Sequence, residues 1–353
     1  MNARLEALRN IGKRTRTFSG PVKLGARVFD RRCIEALPKH VAQNWLAVIE
    51  GKERFEVANA DEIAAALENW AVQAGATHYT HWFQPLTNGL AEKHDSFFSL
   101  GSHGKFRGKE LLRGEPDASS FPSGGLRSTH EARGYTVWDP TVFPFLWEGA
   151  EGLTLCLPAL FFSWKGASLD YRIPLLRSEE KLNRAVLKLL VLCNVSADRV
   201  FSTLGAEQEY FVIDRGLFLL RPDLLLAGRT VFGAPSPKGQ ELEDHYFSSL
   251  KDRVMAFMRE CEEAALLLGI PLKTRHNEVA PAQHEMAPLF ERSTLAVDHN
   301  LLLMELMRTV ALKHDLACLM HEKPFMVING SGKHNNWSIA TDTGLNLLDP
   351  KEN

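Results

Sequence analysis

Cysteine is scarce in this 353-residue chain: Cys33, Cys156, Cys193, Cys261 and Cys318 are the only five, and no two stand at CxxC spacing. Such scatter excludes a disulfide framework and a zinc knuckle. An excess of one charge is also missing, since 41 lysines and arginines against 43 aspartates and glutamates leave a net charge of -2. With no basic surplus to condense on phosphates, nucleic acid is not an expected partner. No uncharged apolar run reaches the ~18 residues a membrane-spanning helix needs; even the stretch 186–195 carries Lys188. The basic start (Arg4, Arg9, Lys13, Arg14, Arg16) has no apolar segment behind it, so neither a secretory signal nor a membrane partner is expected. The expected location is the cytoplasm.

What is present is ordinary globular material, 45% hydrophobic and 24% charged, long enough for two or three domains at roughly 150 residues each. Residues 59–75 read as a helix with Asn59 and Glu62 placed for a capping box, Ala64, Ala65, Leu67 and Val72 facing the core and Gly75 as the stop. The chain before it carries no readable pattern. Residues 77–170 hold many of the glycines, prolines and aromatics in short runs, HYTHWF, YTVW and LTLCL, which predict strands joined by long loops.

After Pro174 the period lengthens. Ser178 starts a helix to about Cys193, and residues 245–268 place Leu250, Val254, Phe257, Met258, Cys261, Ala265 and Leu268 on one face. A third helix follows Ser293, with Leu295, His299, Leu302, Leu306, Thr309 and Val310. Strands are expected at 208–214, 276–287 and 325–329. The fold class predicted is α+β, a small mostly β N-terminal domain followed by an α+β domain, with the boundary near Leu169–Ser178.

Chemistry concentrates in three places. In GAEQEYFVID (205–214), Glu207 and Glu209 lie two apart in a strand and share a face with Phe211 and Ile213. Two carboxylates on a face that turns apolar call for a divalent cation, an arginine pair or a strand end open to water. In RHNEVAPAQHEMAP (275–288), His276, Glu278, His284 and Glu285 crowd between prolines. Glu278 and Glu285 added to the first pair make four carboxylates, a hard-ligand set suited to Mg²⁺ or Mn²⁺, although acidic clusters also occur as plain surface loops. In PFMVINGSGKHNNWS (324–338) an apolar strand runs into a glycine turn and His334. Val327 stands where a Walker A loop needs glycine, so the turn is either a hairpin or a cradle for an anion, with His334 a metal or phosphate contact. His78 and His81 could be ligands but read as packed or hydrogen-bonded histidines, and Asp117 in GEPDASSFPSGG (114–125) sits in a turn.

In chain order, DASS (117–120), GAEQEYF (205–211), NEVAPAQHE (277–285) and NGSGKH (329–334) resemble the motif series of glutamine synthetase. THYTHWFQPLTNGLAEKHDSF (77–97), GKELLRGEPDASSFPSGG (108–125) and KGQELEDHYF (238–247) look like its type III branch. The resemblance implies a type III-specific extension over 1–76, a β-grasp domain over 77–174 and part of a catalytic domain over 175–353. It implies an ATP-dependent ligase joining ammonia to L-glutamate through a γ-glutamyl phosphate, with two Mg²⁺ or Mn²⁺ ions and ATP as co-substrate. By motif position Glu209, Glu278 and Glu285 resemble ligands of the glutamate-side metal, and Glu207 and His334 those of the nucleotide-side metal. Asn329 and Gly330 match the loop that contacts glutamate, Ser338 a nucleotide contact, and Asp117 the aspartate that binds ammonium and takes its proton.

The same resemblance implies hexameric rings, commonly paired into a dodecamer, with Asp117 completing a neighbour's site. Two departures stand out: Asn336 replaces a histidine expected two residues after His334, and Glu278 and Glu285 are seven apart instead of eight. The last metal carboxylate, the flap glutamate and the substrate arginines of the family would lie beyond Asn353, so the chain reads as the N-terminal portion of the enzyme. Two alternatives stay open on the sequence: a γ-glutamyl ligase for another amine, and a shortened non-catalytic partner of a complete synthetase.

Overall fold

In the computed structural model, which describes residues 22–87, 89–97, 105–116, 133–150, 152–241 and 246–350, the chain divides into two compact units. One comprises Gly25–Leu182 and the other contains Asn183–Asn353. The helix α5 (Arg172–Leu192) carries the division, and it starts six residues before the expected Ser178.

In the first unit the stretch without a readable pattern forms helices α1 (Arg31–Glu35) and α2 (Lys39–Ile49), followed by α3 (Ala60–Gln73). The α3 helix forms where expected, but Asn59 makes no side-chain cap. Its amide instead donates to Asn44 Oδ1 at 3.3 Å, deep in the core. Ile63, Ala64, Leu67 and Ala71 form the buried face, while Val72 is exposed. These helices share one core with a sheet in the order β2-β1-β6-β4-β3, in which β1 (Ala76–Phe83) and β6 (Gly152–Ser163) run parallel. The remaining strands are β2 (Ala91–Ser96), β3 (Arg113–Gly114), β4 (Gly134–Trp138) and β5 (Phe145–Gly149), the last paired with β6. The short helix α4 (Gly108–Leu112) precedes β3. Trp45 anchors this core, edge-on to Trp138 at 5.2 Å with its indole N–H donated to the Pro140 carbonyl at 2.9 Å. His81 is buried and bonded through Nε2 to the Leu111 carbonyl, a packed histidine as expected.

The second unit is organised by β7 (Val200–Asp214), a fifteen-residue strand. It is flanked at Thr203–Leu204 by β12 (Lys333–Thr341) and β10 (Glu291–Arg292), and at Phe211 by β11 (Leu316–Leu319) and β9 (Gln283–Pro288). The strand β8 (Leu272–Asn277) pairs with β9. Short helices α6 (Arg215–Leu219) and α7 (Pro222–Ala227) follow β7.

Alternation along β7 decides what each face meets. Tyr210 turns to the two amphipathic helices α8 (Asp252–Leu267) and α9 (Ser293–Lys313), stacking edge-on with Phe257 at 6.0 Å. Phe257, Met258, Cys261 and Ala265 of α8 are buried, as their spacing predicts, and α9 buries Leu302, Leu306 and Val310. With helices on that face, Glu207 and Glu209 occupy the other.

The strand expected at 325–329 does not form. That segment is a loop in which Met326 and Val327 are exposed and Val327 has φ 62°. Its apolar side chains Phe325 and Ile328 pack against Phe211 and Leu224 instead of entering a ladder. Among the described residues no helix is long and apolar enough to cross a membrane.

The Tyr210 hydroxyl is buried without a hydrogen-bond partner among the described residues. An unpaired buried hydroxyl costs about 1–3 kcal/mol. Tyr210→Phe is therefore expected to keep or raise the melting temperature; a clear fall would mean that the hydroxyl is bonded.

Candidate metal centre

Residues facing each other across antiparallel ladders point to the same side of the sheet. His334 of β12 opposes Glu207 of β7, Glu209 opposes Glu285 of β9, and Glu285 opposes His276 of β8. Five ionisable side chains from four strands thus share one face, and Glu278, in the loop after β8, joins them. His334 Nδ1 lies 3.4 Å from Glu207 Oε2, and its Nε2 lies 3.8 Å from Glu209 Oε1. His276 Nε2 is 3.1 Å from Glu285 Oε1, and its Nδ1 is 3.7 Å from Glu278 Oε1.

Two of the carboxylates, Glu209 and Glu207, are held by hydrogen bonds from outside the cluster. Glu209, buried, accepts at Oε2 from the Gln283 amide and from the Gly332 N–H, both at 2.8 Å. A Cβ on Gly332 would sit 3.1 Å from Glu209 Oε1, so glycine is what lets this backbone come so close. Glu207 accepts from the Asn336 amide at 2.6 Å. The strands β8 and β9 carry His276 and Glu285, and the Glu278 N–H is tied to the Gln283 carbonyl at 2.9 Å.

Like charges on rigid strands show in the ionisation of the group. Burial, then Glu207, push Glu285 up to about 6, and burial, then Glu209, raise Glu278 above the ordinary carboxylate range. A divalent cation relieves both causes at once. His276, Glu278 and Glu285 each offer a ligand atom, all within 4.8 Å of one another. The His276 Nδ1–H donates to the Asn277 carbonyl at 2.9 Å, which in the neutral ring leaves the Nε2 lone pair facing the cluster. A ring nitrogen anchored on backbone while the other faces the donor set is how metal-binding histidines are usually oriented. The donor set fits a hard divalent cation.

A family model described as "Glutamine synthetase type III N terminal" matches residues 22–178, and one described as "Glutamine synthetase, catalytic domain" matches residues 183–353. The chain belongs to the glutamine synthetase family. The type-3 glutamine synthetase of Dictyostelium discoideum is 51% identical over 322 residues, which cover 90% of this chain and 44% of that protein. A glutamine synthetase of Bacteroides fragilis is 51% identical over 336 residues, covering 93% of this chain and 45% of that one. The chain therefore spans about half the length of the curated relatives it matches. In fold it is similar to a cryo-EM structure of Plasmodium falciparum glutamine synthetase, with a TM-score of 0.58 at 16% identity over 84% of this chain and 56% of that chain. A GmaS/ADP complex gives 0.55 at 18% identity, over 81% of this chain and 58% of that one.

Seen as a member of the glutamine synthetase family, the chain brings Glu207, Glu209, Glu278, Glu285 and His334 together, with Asn329 and Gly330 adjoining them through Gln283. Asn329 and Gly330 stand on the loop before β12, separated by Ser331 from the Gly332 that touches Glu209. Ser338 is on the same strand and face as His334, four residues further, about 13 Å along the sheet. Its hydroxyl donates to Asn346 Oδ1. Asp117 falls outside the described residues. Three contributors escaped the sequence reading: Gln283, Gln240, whose Oε1 accepts from Asn329 N at 2.7 Å, and Asn336 as the partner of Glu207. Gln240 stands in the KGQE string and Gln283 between Ala282 and His284, with nothing in residue type to mark them as neutral amides turned toward a charged site.

Gly330 is packed more tightly than Gly332. A Cβ there would stand 2.5 Å from the Glu322 carbonyl oxygen, which already accepts from Ser331 N at 2.8 Å. Gly330→Ala is expected to lower unfolding free energy by about 1–3 kcal/mol in denaturant titration; an unchanged midpoint would mean that the loop shifts freely.

Proposed function

We propose that the full-length protein is a glutamate–ammonia ligase, making L-glutamine from L-glutamate, ammonia and ATP. The γ-carboxylate of glutamate attacks the γ-phosphorus of ATP, ADP leaves, and ammonia then displaces phosphate from the γ-glutamyl phosphate. The observation that carries this reading is the row of Glu207, Glu209, Glu285, His276 and His334 across one sheet face. Transfer of a phosphoryl group between two anions needs positive charge held in fixed geometry, and these residues are donors in search of it. Two bound divalent cations, Mg²⁺ or Mn²⁺, would supply that charge and align the reactants.

Within this reading Glu209, Glu278 and Glu285 hold the cation on the glutamate side, with His276 beside them. Glu207 and His334 hold the one on the nucleotide side, and the Asn336 amide keeps Glu207 turned toward it. The loop at Asn329 and Gly330 receives glutamate, and Ser338 lies toward the nucleotide. Asp117, on a neighbouring subunit, binds ammonium and removes its proton, a task for a carboxylate near a cationic substrate. That role goes with a β-grasp reading of the sheet in the first unit, with hexameric rings paired into a dodecamer and with a cytoplasmic location.

Glu209→Ala in the full-length protein is expected to weaken Mn²⁺ binding and to cut glutamine formation by at least about 100-fold, since even outer-shell partners of metal ligands are worth 10–100-fold. If both stay unchanged, this cluster is not the centre of the reaction.

A further inference from the structure

Gln283 lies where the carboxylate cluster meets the glycine loop, and its buried side chain is 1% exposed. Its Nε2 donates twice, to Glu209 Oε2 at 2.8 Å and to the Gly330 carbonyl at 2.7 Å. Its Oε1 accepts from Ala280 N at 3.1 Å and from Asn329 Nδ2 at 3.4 Å. The opposite amide orientation would set a carbonyl oxygen against a carboxylate and a second carbonyl, so the network fixes this one. Through its main chain the same residue receives the Glu278 N–H. One neutral side chain therefore touches a carboxylate of the cluster and both residues of the adjoining loop.

We propose that Gln283 is a positioning residue that couples the divalent cation to the amino-acid substrate, so that each tightens the binding of the other. The identity of the substrate rests on the ligase reading; the linkage rests on the hydrogen bonds. A planar amide with both donors on one nitrogen cannot follow a movement of Glu209 without dragging the Gly330 carbonyl with it. The loop has little slack to absorb that movement. Gly330 is pressed against the Glu322 carbonyl, Asn329 N is tied to Gln240, and Val327, a β-branched residue at φ 62°, occupies a backbone region such residues avoid. A cation that fixes Glu209 thus fixes the loop, and by linkage a ligand on the loop must favour the cation by the same factor.

The test is a titration of the full-length protein with Mn²⁺, followed by the electron paramagnetic resonance of the free ion, with and without saturating glutamate. Wild-type protein is expected to bind Mn²⁺ more tightly in glutamate. In Gln283→Met, similar in length but without polar atoms, that gain should shrink by at least about fivefold, the low end of ordinary coupling between sites. Glutamate KM should rise while ATP KM stays within twofold. Gln283→Leu also removes the amide without adding charge to the cluster, and serves if the methionine variant does not assemble.

A residue that merely fills space would weaken Mn²⁺ binding by one factor whether or not glutamate is present, and an unchanged ratio in both variants would overturn the coupling. Failure of the ligase reading looks different. Wild-type protein would then form no glutamine, yet a response of Mn²⁺ affinity to glutamate that vanishes in the variants would leave the coupling standing.

Discussion

Carboxylates held on neighbouring strands repel one another, and these strands cannot part without breaking the ladder around β7. Glu209 and Glu285 are opposed residues of one antiparallel pair, Glu207 is two positions along, and Glu278 closes the group from the adjoining loop. The repulsion is visible in Glu285, pushed up to about 6 by burial and by Glu207. A surface cluster would relieve such strain by turning side chains to solvent. Here Glu209 is fastened by Gln283 and Gly332, Glu207 by Asn336 and Glu285 by its place in the sheet, so the charge stays where it is.

The rest of the second unit serves that constraint. The face of β7 that carries Tyr210 is covered by α8 and α9, and the carboxylates stand on the opposite face. Phe211 and Ile213 continue the face into an apolar patch with Phe325 and Ile328, which anchors the glycine loop beside the charges. Gly330 and Gly332 then allow backbone to approach within hydrogen-bonding reach where a side chain would collide.

Legibility in the sequence followed the range of the interactions. The helices over Asp252–Leu267 and Ser293–Lys313 were readable because their buried faces repeat every three to four residues. The two glutamates on β7 were readable as a pair because alternation in a strand is local. The four carboxylates were readable by residue type as a candidate set for Mg²⁺ or Mn²⁺, and His334 as a metal or phosphate contact. Their division between two ions came only from the resemblance to a known family, since the opposition of His334 and Glu207 joins residues 127 apart in sequence. Helices α1 and α2 were missed although Val41, Trp45 and Val48 fall on one face, because the first is five residues long and the second eleven. Residues 325–329 look like a strand by composition, but they pack as a loop against Phe211. The capping box at Asn59 failed because a buried partner, Asn44, claims the side chain. Gln283 and Gln240 stayed hidden because a neutral amide acquires meaning only from what surrounds it.

The central claim, that this sheet face is built to hold two divalent cations, is tested most directly by anomalous X-ray scattering at the manganese edge from crystals of the full-length protein soaked in Mn²⁺. The account predicts one peak bounded by Glu209, Glu278 and Glu285 and a second beside Glu207 and His334. No peak at this face, or manganese bound only elsewhere, would contradict it.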